Sequence, residues 1–154
     1  MSKELILMLH PTFGVLAIIA SVWVFVEALN ASDANIARLR NASVLAAILM
    51  WSAYIVGGYW YVVFYGGDKT LIKAGPWPFA HSFFMETKEH VFLMLLLLAT
   101  YLPIAAYGEV VKKSATRNLV LWTSALVVLL GLAMEGAGAF ISMGAKVALL
   151  ANQI

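Results

Sequence analysis

Cysteine is absent from this chain of 154 residues. Disulfides, thiolate metal sites, iron–sulfur clusters and covalently attached c-type haem are therefore excluded, and any metal must sit on His, Glu, Asp or Met. Charge is scarce as well: Asp, Glu, Lys and Arg make up 12% of the residues, against about 25% in an ordinary soluble domain. The net charge of +2 is scattered over short polar stretches. No long basic run exists, which argues against a nucleic-acid surface. The start, Met1-Ser2-Lys3-Glu4, has no basic n-region and no small-residue cleavage site after it, so the first apolar run is expected to be retained as a span. No internal repeat and no low-complexity tract occur.

What the chain has in abundance is apolar surface, at 63% of its residues. A hydrocarbon core of about 30 Å needs roughly 20 mostly apolar residues per helix. The apolar runs predict four spans in a single transmembrane domain: Leu5 to Leu29, Ala42 to Tyr65, Ser82 to Tyr107, and Leu119 to Ile141 with a helical extension toward Asn152. The expected fold class is all-α, an integral membrane four-helix bundle. Polar residues Asn30 to Asn41 form the first connector. Gly66-Gly67-Asp68-Lys69 and Gly75-Pro76-Trp77-Pro78 suit turns rather than helix and mark the second. Glu109, Lys112, Lys113 and Arg117 mark the third.

An even number of spans puts both termini on one side together with the second connector, here termed the terminal side. Arg38, Arg40, Lys112, Lys113 and Arg117 lie opposite, against Lys3, Lys69, Lys73 and Lys146 on the terminal side, with Lys88 near the boundary. The positive-inside rule then sets the termini outside. The absence of a targeting segment fits a prokaryotic inner membrane.

Ionisable groups inside spans are expensive and by default mark function, and a rise of about 1.5 Å per residue gives their depth. Counted from the non-terminal ends, Gly57 and Gly58 lie roughly 20 Å up, His90 and Glu135 roughly 25 Å, Glu89 slightly higher, and His10 and Glu86 roughly 30 Å. The unusual residues thus share the terminal-side half. Glu86 and His90, four apart, occupy one face of the third helix, while His81, nine residues before His90, points the other way if the helix is continuous. His10, Gly14, Ala17 and Ser21 form a stripe on the first helix, and Gly131, Glu135, Gly138 and Ser142 one on the fourth. Small residues there allow close helix approach, or leave room for something flat.

Two histidines at similar depth on separate helices are what a haem b with two imidazole ligands requires. The expectation is that His10 and His90 hold one haem. Gly14, Gly57 and Gly58 would make room for it, and Glu86, Glu89 or Glu135 would orient the imidazoles. On these residues the whole chain resembles small four-helix membrane b-type cytochromes. Many of those carry four histidines for two haems, whereas this chain has three, all in one half. The resemblance implies a haem b electron-transfer subunit linking a quinone pool to a partner redox protein, with the carboxylates as proton acceptors.

Two other readings stand beside it. One is a non-haem metal ion on His10, His90 and the neighbouring carboxylates, although the duplicated Glu-x-x-His pattern of di-iron bundles is not met. The other is a cofactor-free structural or assembly subunit whose small-residue stripes pack against other membrane subunits. Every reading makes membrane lipid a partner.

Overall fold

The computed structural model describes residues 2–152. It contains α1 (Lys3–Leu29), α2 (Ile36–Ala74), a π-helical turn (Ala80–Met85) that runs into α3 (Glu86–Ala106), and α4 (Ser114–Ala151). Helix is the secondary structure such segments must take, because no water is present in hydrocarbon to satisfy backbone N–H and C=O groups. Four helices are long and apolar enough to cross a membrane, the third counting the π turn together with α3. The chain is an all-α, four-helix integral membrane bundle.

Consecutive helices run antiparallel. Lys3 at the start of α1 bonds Asp68 near the end of α2 at 3.1 Å, and Arg40 at the start of α2 donates to the carbonyl of Ala106 at the end of α3 at 3.3 Å. The first connector is closed by Asn35, whose Oδ1 accepts from the Ser32 N–H at 2.8 Å. Its Nδ2 donates to the Glu27 carbonyl at 3.0 Å and the Glu27 carboxylate at 2.8 Å. Glu27 also receives the Arg38 guanidinium at 2.9 Å. The acid at the end of α1 is thus neutralised by the connector it adjoins.

Helices approach closely because their facing stripes are small. Ala17, Ala20 and Ala28 of α1, Ala42, Ala46 and Ala53 of α2, and Ala99 and Ala106 of α3 are all buried. Dispersion between closely set backbones takes the place of the hydrophobic drive that lipid removes. Buried Ser21 and Ser124 donate to carbonyls one turn back, Ala17 and Val120, so their hydroxyls cost little.

Two departures from the sequence reading matter for the site. Gly66-Gly67-Asp68-Lys69 is not a turn: α2 continues through it to Ala74, and the connector is only Gly75 to Phe79. Each glycine costs a helix about 1 kcal/mol, but Tyr65 and Ile72 on either side are buried at 1% and 0% exposure, and Lys3 clamps Asp68. Tertiary packing offsets local propensity here. The second departure is the π turn, which winds wider than an α-helix and turns His81 into the bundle, where it is buried.

Candidate site in the polar layer of the bundle

From the end of the π turn through α3 the inward stripe is Met85, Lys88, Phe92, Leu95, Ala99 and Leu102, recurring at three- and four-residue steps. Lys88 falls seven residues before Leu95 and fourteen before Leu102, so it takes a core position. Its side chain points between the helices, toward His10 of α1 and Glu135 of α4. His90 belongs to the opposite stripe with Met94, Leu97, Tyr101 and Ile104, all outward-facing.

His10 is held firmly. Its ring nitrogen Nδ1 lies 2.8 Å from the Ala53 carbonyl, and a carbonyl only accepts, so Nδ1 carries the hydrogen and Nε2 presents a lone pair. Lys88 Nζ stands 3.5 Å from that Nε2, a long contact. Among the described residues the ion pairs are Lys3 with Asp68, Arg38 with Glu27, Lys113 with Glu109, and His81 with Glu86. Lys88 is in none of them. Glu135 of α4 is the acid whose charge acts on it.

Three glycines seat this trio. A methyl group on Gly57 would run into the His10 ring, one on Gly14 into the Glu135 carboxylate, and one on Gly138 would come within 3.1 Å of Lys88 Nζ. The sequence reading assigned Gly14 and Gly57 to the faces of a porphyrin; in the structure the space they leave is filled by polar side chains. Gly58 has nothing within 4 Å of where its side chain would start and borders open space.

That space is a cavity of about 750 Å³ between the four helices. His10, Lys88 and Glu135 lie at its inner end, Tyr54, Trp60, Tyr61 and Phe92 supply aromatic walls, and Met85 and Glu89 contribute from the third span. Leu7, Met8, Val62 and Leu93 also line it and are themselves exposed, so an apolar mouth faces the hydrocarbon. The Trp60 indole N–H is buried without a hydrogen-bond partner. Below the trio a recess of about 10 Å³ is at the lower limit for a single water.

Of the residues expected to form the site, His10, Gly57, Gly58, Glu89 and Glu135 line this cavity, and Gly14 lines the recess beneath it. His90 does not join them. It is exposed, its Nδ1 is bonded to the Glu86 carbonyl at 2.7 Å, and it borders neither the cavity nor the recess. The rings of His10 and His90 therefore do not face each other: with the π turn ending at Met85, helical phase sets Lys88 inward and His90 outward. Glu86 also lies outside the cavity, half exposed, with Oε1 3.5 Å from His81 Nε2. No group of three or more His, Asp or Glu able to hold a metal ion occurs among the described residues.

Lys88, which the sequence places near the membrane boundary, lines both the cavity and the recess. The signal that finds it is its phase with Leu95 and Leu102, not its depth. The class defined by fold and site is a four-helix membrane bundle with a polar layer at the inner end of a lipid-facing cavity. Comparison with protein-family models, curated proteins and solved structures finds no match for this chain.

Proposed function

We propose that this chain is a membrane redox subunit whose cavity takes up the head group of a quinone, exchanging electrons with a partner redox protein. The observation that carries this reading is the trio His10, Lys88 and Glu135 at the inner end of an apolar cavity that opens toward lipid. A quinone is apolar along its tail and ring, enters from the hydrocarbon, and ends in carbonyl oxygens that need donors. The Trp60 N–H is a buried donor without an acceptor, and Lys88 has only the long contact to His10 Nε2; unmet buried donors are costly enough to select such a ligand. In the reduced direction His10 Nε2 and the carboxylates of Glu135 and Glu89 are bases for the hydroxyl protons. A quinol releases two protons and two electrons, the electrons passing to the partner. The setting is a prokaryotic inner membrane with the termini outside.

The test is titration of menadione into the purified protein in lipid nanodiscs, read by quenching of tryptophan fluorescence. Saturable quenching that weakens at least tenfold in Lys88→Met supports the reading. Quenching that rises linearly with membrane partitioning, identically in both proteins, contradicts it.

Haem b remains a second reading for one reason. The Nδ1–H bond from His10 to Ala53 fixes the tautomer that a ligating imidazole uses, with Nε2 free to coordinate. His10 would hold the iron and Met8 or Met85, both lining the cavity, could supply a sulfur; bound haem would supply one-electron chemistry. A pair of histidine ligands does not fit these residues. Expression with ample haem and an absorption spectrum decide: a Soret band lost in His10→Ala favours haem, and a colourless protein that binds menadione excludes it.

A further inference from the structure

Among the described residues, Lys88 is the one amine that lines the cavity. It is half-buried on the third span and belongs to none of their ion pairs, whereas Lys3 is paired with Asp68 and Lys113 with Glu109, and Lys112 and Lys146 are exposed. Gly138 keeps one flank of Nζ clear: a methyl group there would stand 3.1 Å away. A lysine becomes a nucleophile where an apolar pocket strips it of water and of ion-pair partners. With no cysteine in the chain, Nζ is the strongest nucleophile that a molecule in this cavity meets.

The cavity selects what reaches that amine. Leu7, Met8, Val62 and Leu93 form a mouth toward hydrocarbon, so the molecule arrives from lipid and is apolar along its length. At about 750 Å³ the space takes a long chain or a ring system rather than a small polar compound. Its reacting end is uncharged, because a fatty carboxylate would meet Glu135 and Glu89 in the same wall and like charges repel. An aldehyde is uncharged on arrival, and its imine becomes a cation on taking up a proton. Glu135, the acid whose charge acts on Lys88, is then the counter-ion.

We propose that Lys88 forms a Schiff base with a long-chain apolar aldehyde drawn from the membrane. The Nζ lone pair bonds to the carbonyl carbon as the C=O π pair moves to oxygen, and that oxygen takes one hydrogen from Nζ to give the carbinolamine. Loss of the oxygen as water, carrying the second Nζ hydrogen, leaves the C=N bond. Both hydrogens of the water come from the amine, so the step needs no oxidant, reductant or co-reactant and no proton relay through the protein. The inference goes beyond the quinone reading, since it concerns covalent capture rather than electron exchange.

The experiment incubates the full chain, in nanodiscs of phosphatidylcholine, with all-trans-retinal as the probe aldehyde and sodium cyanoborohydride to reduce the imine to a stable amine. Peptide mass spectrometry then gives the modified fraction at each lysine, with Lys112 and Lys146 as exposed comparators in the same molecule. Labelling of Lys88 at least tenfold faster than either is the expected result, and a smaller preference overturns the Schiff base. Wild-type protein alone decides this, so no misfolded variant can confuse it. Without the reductant, the wild-type imine should absorb at the longer wavelength of its protonated form, and Glu135→Gln should shift it to the near-ultraviolet band of the neutral imine. A neutral band in wild type, or no shift in the variant, overturns Glu135 as counter-ion. Menadione titration runs separately: saturable binding with no preference for Lys88 overturns the Schiff base alone, and preferential labelling with no menadione binding overturns the quinone reading alone.

Discussion

Gly57 and Gly58 are neighbours in sequence, and the structure gives replacement by alanine opposite consequences at the two. At Gly57 the new methyl meets Nδ1 and Cε1 of His10, so the ring must leave the Ala53 carbonyl or the helices must part. Losing that bond with its groups left buried costs about 1–3 kcal/mol, and overpacking about 1–3 kcal/mol more, offset by up to about 1 kcal/mol of helix propensity. A net destabilisation of about 1–5 kcal/mol is expected. At Gly58 nothing lies within 4 Å, so only the propensity gain of up to about 1 kcal/mol applies. The assay is SDS titration of the protein in mixed micelles, followed by tryptophan fluorescence and circular dichroism. Adding His10→Ala should make the Gly57→Ala penalty vanish, giving a coupling of about 2 kcal/mol or more in the double-mutant cycle. Equal unfolding midpoints for Gly57→Ala and Gly58→Ala, or additive effects of Gly57→Ala and His10→Ala, would refute the seating of His10 against Gly57.

Other expectations follow from the same geometry. Tyr65→Phe removes the hydroxyl that is hydrogen-bonded to His81 Nδ1 at 3.0 Å and should cost about 1–3 kcal/mol in the SDS titration; no loss would mean that the hydroxyl is unpaired. Gly14→Val forces the Glu135 carboxylate out of its place and should weaken menadione binding at least tenfold, whereas undiminished affinity would remove Glu135 from the site. Single cysteines at Ser32 and Lys112 should be labelled by a membrane-impermeant maleimide from one side, and a cysteine at Ala74 from the other. Labelling of all three from one side contradicts the four-span topology.

The bundle was legible because hydrocarbon permits few solutions: long apolar runs must be helices, and small-residue stripes must meet. The depth of the polar layer followed from the same count, and His10 and Glu135 do line one cavity. Helix ends were less legible. Gly66 and Gly67 read as a turn from propensity alone, and the burial of Tyr65 and Ile72 that holds them in α2 is tertiary information. The pairing of His10 with His90 failed for another reason. Depth fixes a residue's level but not its azimuth, and azimuth on α3 is set by the phase of Phe92, Leu95, Ala99 and Leu102, which admits Lys88 and excludes His90. The π turn carries no clear sequence signature, so the inward position of His81 was not recoverable from a continuous-helix count.

Under the quinone reading Lys88, not His90, serves the cavity. Menadione titration of wild-type protein, Lys88→Met and His90→Ala in nanodiscs tests it most directly, with tryptophan quenching as the readout. Saturable binding in wild type, unchanged in His90→Ala and weakened at least tenfold in Lys88→Met, is the expected pattern. Weakening in His90→Ala with Lys88→Met unaffected, or no saturable binding in any of the three, would contradict it.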